Sequence, residues 1–176
     1  MSALKMISVK RLLPLFVVLM LSMCVREKRE VISMKIESND FEDGGFIPSE
    51  FTCDGKDINP HLKWSDFPDE TEAFALTCID PDAPGGDFIH WLVYNIPADV
   101  TEISKGGSVP GKEVENDFGK TEYGGPCPPS GTHRYFFTIY ALDQRIEGDL
   151  NKGNFRQKVE EHTIAKAEIM GRYARK

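Results

Sequence analysis

The sequence predicts a mainly β, single-domain chain with one helix near its C-terminus. Three observations predict it. Residues 72–79, 88–96 and 134–142 carry strand patterning, residues 105–133 form a Gly/Pro-rich stretch, and a helical stripe follows near the end. The length of 176 residues, 40% hydrophobic and 28% charged, suits one domain and excludes collagen-like, coiled-coil and wholly disordered chains.

The first segment is set apart by charge. Residues 1–30 hold six Lys/Arg and two Asp/Glu, a balance of +4, which leaves −11 for residues 31–176 out of the net −7. Lys5, Lys10 and Arg11 precede the apolar run 12–25, the pattern of an export signal or anchor that is short for a bilayer-spanning helix. Leu21-Ser22-Met23-Cys24 resembles a bacterial lipobox, with Met23 in place of the small residue preferred before the cysteine. Cleavage, lipidation at Cys24 and retention as an anchor all stay open. An exported or membrane-attached protein is expected, with residues 31–176 as its folded body. The acidic body argues against a nucleic-acid partner, since phosphate neutralisation needs clustered Lys and Arg.

In the body, residues 34–37 form a candidate short strand. Along 72–79, Phe74, Leu76 and Cys78 share one face. Along 88–96, His90 falls on the face of Phe88, Leu92 and Tyr94. Residues 134–142 are apolar on both faces, as in an interior strand of a β-sandwich. Residues 105–133 hold seven Gly and four Pro in 29 positions and read as a long loop folded onto the same domain. Phe155, Val159, His162 and Ile169 predict a helix capped by Asn154; towards Gly171 the stripe weakens, so 167–173 reads equally as a terminal strand. Cys53 and Cys127 lie in loop-like segments and Cys78 in a strand, which predicts a Cys53–Cys127 bridge and a buried Cys78 if the body is exported.

The chemistry gathers at strand ends. Asp80-Pro81-Asp82-Ala83-Pro84-Gly85-Gly86 closes one strand; alone it reads as a turn. His90 lies on the next strand. Gly124-Gly125-Pro126-Cys127-Pro128-Pro129-Ser130-Gly131-Thr132 then leads into His133, Arg134 and Tyr135, with His133 and Tyr135 on one face. Imidazole, phenol and exposed N–H groups suit a phosphoryl anion. Ser130 sits in a Pro/Gly turn rather than a strand–helix elbow, so no nucleophile is marked and no enzyme activity is expected.

These two motifs, in this order, resemble the phosphatidylethanolamine-binding protein family, and more closely its bacterial and archaeal Raf-kinase-inhibitor-like branch. The likeness runs over about residues 34–174 and includes Phe51-Thr52-Cys53-Asp54-Gly55 and Trp64. It implies a β-sandwich with a C-terminal helix and short peripheral helices. It also implies a small anion pocket, with Asp80, Pro81, Asp82 and His90 on one side and Gly125, Pro126, His133 and Tyr135 on the other. In that reading His90 and His133 donate to the anion, Asp80 orients an imidazole or accepts from the ligand, and Arg134 faces away in an ion pair. The expected partner is a small anionic or phosphorylated ligand, such as a phospholipid headgroup, with no cofactor and no metal. The alternative is an inhibitor of a serine protease or kinase acting through surface contacts. Membrane attachment would run through residues 1–30, and a homodimer stays open. Asn59-Pro60 replaces the family's usual Ser-Pro, and His61 after it reads as an exposed loop residue.

Overall fold

The computed structural model describes residues 32–175. The expected leader over residues 1–30, with Cys24, lies outside them; among the described residues no helix is long and apolar enough to cross a membrane.

In chain order the elements are β1 (Ile32–Ser33), β2 (Lys35–Glu37), a 3-10 turn (Ser49–Phe51), β3 (Leu62–Ser65), β4 (Ala73–Asp80) and β5 (Phe88–Pro97). There follow β6 (Glu102–Ile103), β7 (Lys112–Glu113), β8 (Thr132–Leu142), α1 (Lys152–His162) and β9 (Thr163–Ala174). One six-stranded sheet has the order β1-β9-β8-β4-β5-β7, and a three-stranded sheet has the order β2-β3-β6. The protein is therefore mainly β, and among the described residues α1 is the single α-helix.

Alternation builds three layers. Phe74, Leu76 and Cys78 of β4 join Phe137 and Ile139 of β8 in a core that also takes Leu62 and Trp64 of the small sheet. The opposite face of the large sheet, with Ala73, Ala75, Leu92 and Tyr94, packs under Phe155 and Val159 of α1. Strands β4 and β8 are central and apolar on both faces because each side is covered.

Several expectations need correction. The helix stops at His162, and Ile169 belongs to β9, which pairs antiparallel with β8 along its length. The run Ala165-Lys166-Ala167-Glu168-Ile169 alternates buried and exposed, the period of a strand. The terminal-strand reading of 167–173 is the right one, and the helix is penultimate. Its cap is Asn151, whose side chain accepts from the N–H groups of Gly153 and Asn154; Asn154 closes a capping box by accepting from the Asn151 N–H. Of short peripheral helices, the described residues hold the 3-10 turn alone. The Gly/Pro stretch carries the two-residue strand β7, which extends the large sheet beside β5.

His61 is 8% exposed, not a surface residue. Its Nδ1 accepts from the Asn39 N–H while its own backbone N–H donates to Asp40, so the chain at 39–40 folds over it. Cys53 and Cys127 form a disulfide with Cα atoms 5.4 Å apart. Cys78 is free and buried.

Candidate functional site

Three adjacent strands bring the strand-end residues together. Asp80 ends β4, Phe88 and His90 open β5, and His133 and Tyr135 open β8. Antiparallel pairing sets Ile79 opposite Phe136, so Tyr135 lies level with Asp80. A β-bulge aims the remaining residue. Cys78 pairs with Trp91 and Ile79 with Ile89, which leaves His90 as the extra residue on β5. Trp91 lies in the inter-sheet core, and the His90 ring meets Tyr135 of that same core at 5.1 Å between centroids. Leu92 and Tyr94 pack on the helix side. His90 therefore does not share the face of Leu92 and Tyr94, as strict alternation predicts; the bulge moves it across the sheet.

The cluster is buried: Tyr135 is 0%, Asp80 3%, His90 3% and His133 7% exposed. His133 Nδ1–H donates to Asp80 Oδ2 at 2.7 Å. The other Asp80 oxygen accepts from the Asp82 N–H at 2.8 Å. Asp80 thereby fixes the His133 ring, since an ionised carboxylate only accepts. His90 Nδ1–H donates to the Gly124 carbonyl at 2.7 Å. Both rings are thus held through Nδ1, which leaves each Nε2 for another partner. Burial depresses the His90 pKa below its ordinary value, against the Gly124 carbonyl and the Asp80 charge, which both favour the imidazolium. The Tyr135 hydroxyl is buried and makes no well-formed hydrogen bond among the described residues, although the Asp80 carboxylate lies close enough to draw on its O–H. Burial, and next the charge of Asp80, push its pKa up, so it stays a neutral O–H.

The other expected residues play different parts. The Asp82 carboxylate is taken by Arg134, whose Nε and Nη2 donate at 2.8 and 2.7 Å. That bidentate pair holds Asp82 down at about pKa 2 and turns it outward with Arg134. Pro81 is half-buried between the two carboxylates. The Gly125 N–H donates to Asp57 Oδ1 at 2.6 Å. A Cβ at Gly125 would strike the Phe51 carbonyl, so close packing demands glycine there. The Pro126 carbonyl accepts from the Cys53 N–H, next to the disulfide.

Sequence reasoning missed Asn116 and Phe118. Fully buried Asn116 donates to the carbonyls of His90 and Glu122 and accepts from the N–H groups of Phe118 and Lys120. It ties the long loop to the bulge. Phe118, 42% exposed, packs edge-on against Phe88 and His90. The one signal was a lone aromatic in a polar Gly-containing turn. Among the described residues no group of His, Cys, Asp or Glu is arranged to hold a metal ion.

Comparison with known proteins agrees with this architecture. A family model described as phosphatidylethanolamine-binding protein matches residues 37–174. A UPF0098 protein of Aquifex aeolicus is 46% identical over 153 residues, 81% of this chain and 89% of its own. One from Methanothermobacter thermautotrophicus is 42% identical over 150 residues, 81% of this chain and 99% of its own. The crystal structure of CT736 from Chlamydia trachomatis, described as a PEBP homolog, superposes with a TM-score of 0.78 at 35% identity, covering 82% of this chain and 99% of that one. Escherichia coli YbcL, described as a new member of the mammalian PEBP family, gives 0.75 at 32%, covering 82% and 99%.

Proposed function

The chain belongs to the phosphatidylethanolamine-binding protein family, and from that premise we propose that it binds a small anionic ligand, a phosphoryl group above all, without turning it over. The observation that carries this reading is the Tyr135 hydroxyl, a buried donor that makes no well-formed hydrogen bond, beside two imidazoles whose Nδ1 atoms are already engaged. An unpaired buried donor costs about 1–3 kcal/mol. An anion that accepts from Tyr135 Oη and from the two Nε2 atoms removes that cost. Asp80 holds His133 in place for it, and Phe118 shields the site from solvent.

The disulfide supports work in an oxidising compartment, in keeping with the basic and apolar composition of residues 1–30.

Titration with phosphorylethanolamine followed by NMR tests the reading. Saturable shifts at His90, His133 and Tyr135 are expected, and the double variant His90→Ala, His133→Ala should lose them while keeping its fold. Undiminished binding by that variant removes the assignment. The pH dependence has a definite sign. His90 Nδ1 is committed to Gly124, so Nε2 donates to an anion only in the imidazolium. The depressed pKa makes the free ring neutral at pH 7, so binding takes up a proton. Sulfate, which does not titrate in this range, should bind more tightly as pH falls from about 7.5 to about 5.5. A flat profile rules out His90 as the charged donor.

A further inference from the structure

The opposite face of the large sheet holds a cavity of about 320 Å³. It lies between α1 and strands β4, β5 and β8. Outward-facing Thr77 and Ile79 line it, whereas inward-facing Asp80 belongs to the cluster described above, so the sheet separates the two places. Its walls are apolar: Ile79, Ile89, Leu92, Phe155 and Val159. The volume is at the small end of ligand pockets, about the size for one aromatic or branched side chain and its backbone.

The mouth is charged in both signs. Lys152 and Arg156 line it from the first two turns of α1, and Asp87 and Glu160 line it as well. Arg156 pairs with Asp87 at 3.2 Å, but the two side chains are 67% and 53% exposed. Such a pair contributes little and yields easily to a ligand. Lys152 pairs with Asp117 at 2.9 Å and also donates to the Asn116 carbonyl, so it is the less available cation. Gly153 puts no side chain across the rim, and the start of α1 adds the positive end of the helix dipole.

We propose that this cavity binds a small apolar zwitterion, of which a free apolar amino acid is the simplest form. Its apolar side chain fills the space between Ile79, Leu92 and Val159. Its carboxylate takes Arg156 in the second turn of α1. Its ammonium takes Asp87 and Glu160. A ligand with one charge satisfies one half of this rim and leaves the other half facing a like or partly desolvated neighbour. A net-neutral ligand with both charges meets the available cation, Arg156, and the two anions at once.

The test compares three probes on the full chain: phenylalanine, phenylpropionate, which lacks the ammonium, and phenethylamine, which lacks the carboxylate. Heteronuclear NMR should show saturable shifts at Phe155, Val159 and Tyr140. Phenylalanine should bind at least about fivefold more tightly than either analogue, the worth of one partly exposed charge contact. Arg156→Gln, at an exposed position, should weaken phenylalanine and phenylpropionate about fivefold and leave phenethylamine no weaker, since Asp87 loses its competing cation. Ile79→Trp should fill the cavity and abolish binding of all three, while sulfate binding at His90 and His133 stays as in the parent. Absence of saturable shifts, equal binding of a single-charge analogue, or indifference to Arg156→Gln would overturn the proposal, whatever the outcome at the His90–His133 cluster.

Discussion

Tyr135 puts binding and stability in opposition within one side chain. Its hydroxyl is desolvated by the core and makes no well-formed hydrogen bond, so Tyr135→Phe should leave the free protein as stable as before, or more stable by up to about 1 kcal/mol. The same change should weaken phosphorylethanolamine about tenfold, the worth of a hydrogen bond to a charged acceptor. Denaturant unfolding and a binding titration on the same two proteins check both halves. A fall in stability with unchanged affinity would mark Tyr135 as a packing residue alone. The cluster residues themselves were readable in the sequence, because Asp80, His133 and Tyr135 stand at strand ends whose parity fixes their face. Asn116 was not readable. Its importance lies in four hydrogen bonds to groups as far away as His90, and nothing local to residue 116 encodes them.

Helix α1 depends on its first turn more than on an apolar stripe, since it buries only Phe155 and Val159. The Asn151 side chain satisfies two N–H groups that have no partner within the helix, and Asn154 returns the bond. Asn151→Ala should cost about 1 kcal/mol, read as a shift in the denaturant midpoint with an unchanged slope. The sequence reading placed this helix correctly but ran it too far. His162 and Ile169 fit a helical stripe by spacing, yet the chain between Ala165 and Tyr173 alternates, and pairing with β8 outweighs the partial helical match. The central strands were legible because both of their faces are apolar. The bulge in β5 was not, since it depends on the register that β4 imposes.

The layered architecture leaves the long loop to be held by cross-links rather than by a sheet. The disulfide joins positions 74 residues apart and fastens the 124–131 segment to the chain after the 3-10 turn. Tyr123 Oη donates to the Phe51 carbonyl, and the Gly125 N–H donates to Asp57, along the same seam. By the chain-entropy argument, a closed loop of that length stabilises by about 4 kcal/mol. The double variant Cys53→Ser, Cys127→Ser should lower unfolding free energy by roughly that amount and no more than about 5 kcal/mol. A loss under about 1 kcal/mol would mean that the hydrogen-bonded seam alone holds the loop. The acidic balance of the body and a phosphoryl ligand are compatible in this arrangement. Arg134 neutralises Asp82 at the edge of the cluster, and the groups left to meet an anion are the Tyr135 hydroxyl and two imidazoles that donate through Nε2 once protonated.

The bulge at His90 makes the site a matter of counting. Substitutions at positions 88–91 change which groups line the cluster, but the number of residues between the end of β4 and Leu92 decides which side of the sheet they reach. Removing one residue there restores regular pairing with β4 at this point and sends the ring of residue 90 toward α1, while the second irregularity, opposite Phe74 and Leu76, and every hydrophobic residue beyond it keep their place. Such a chain would retain its layers and its core and have no site. Length at this one point is thus under a tighter constraint than identity.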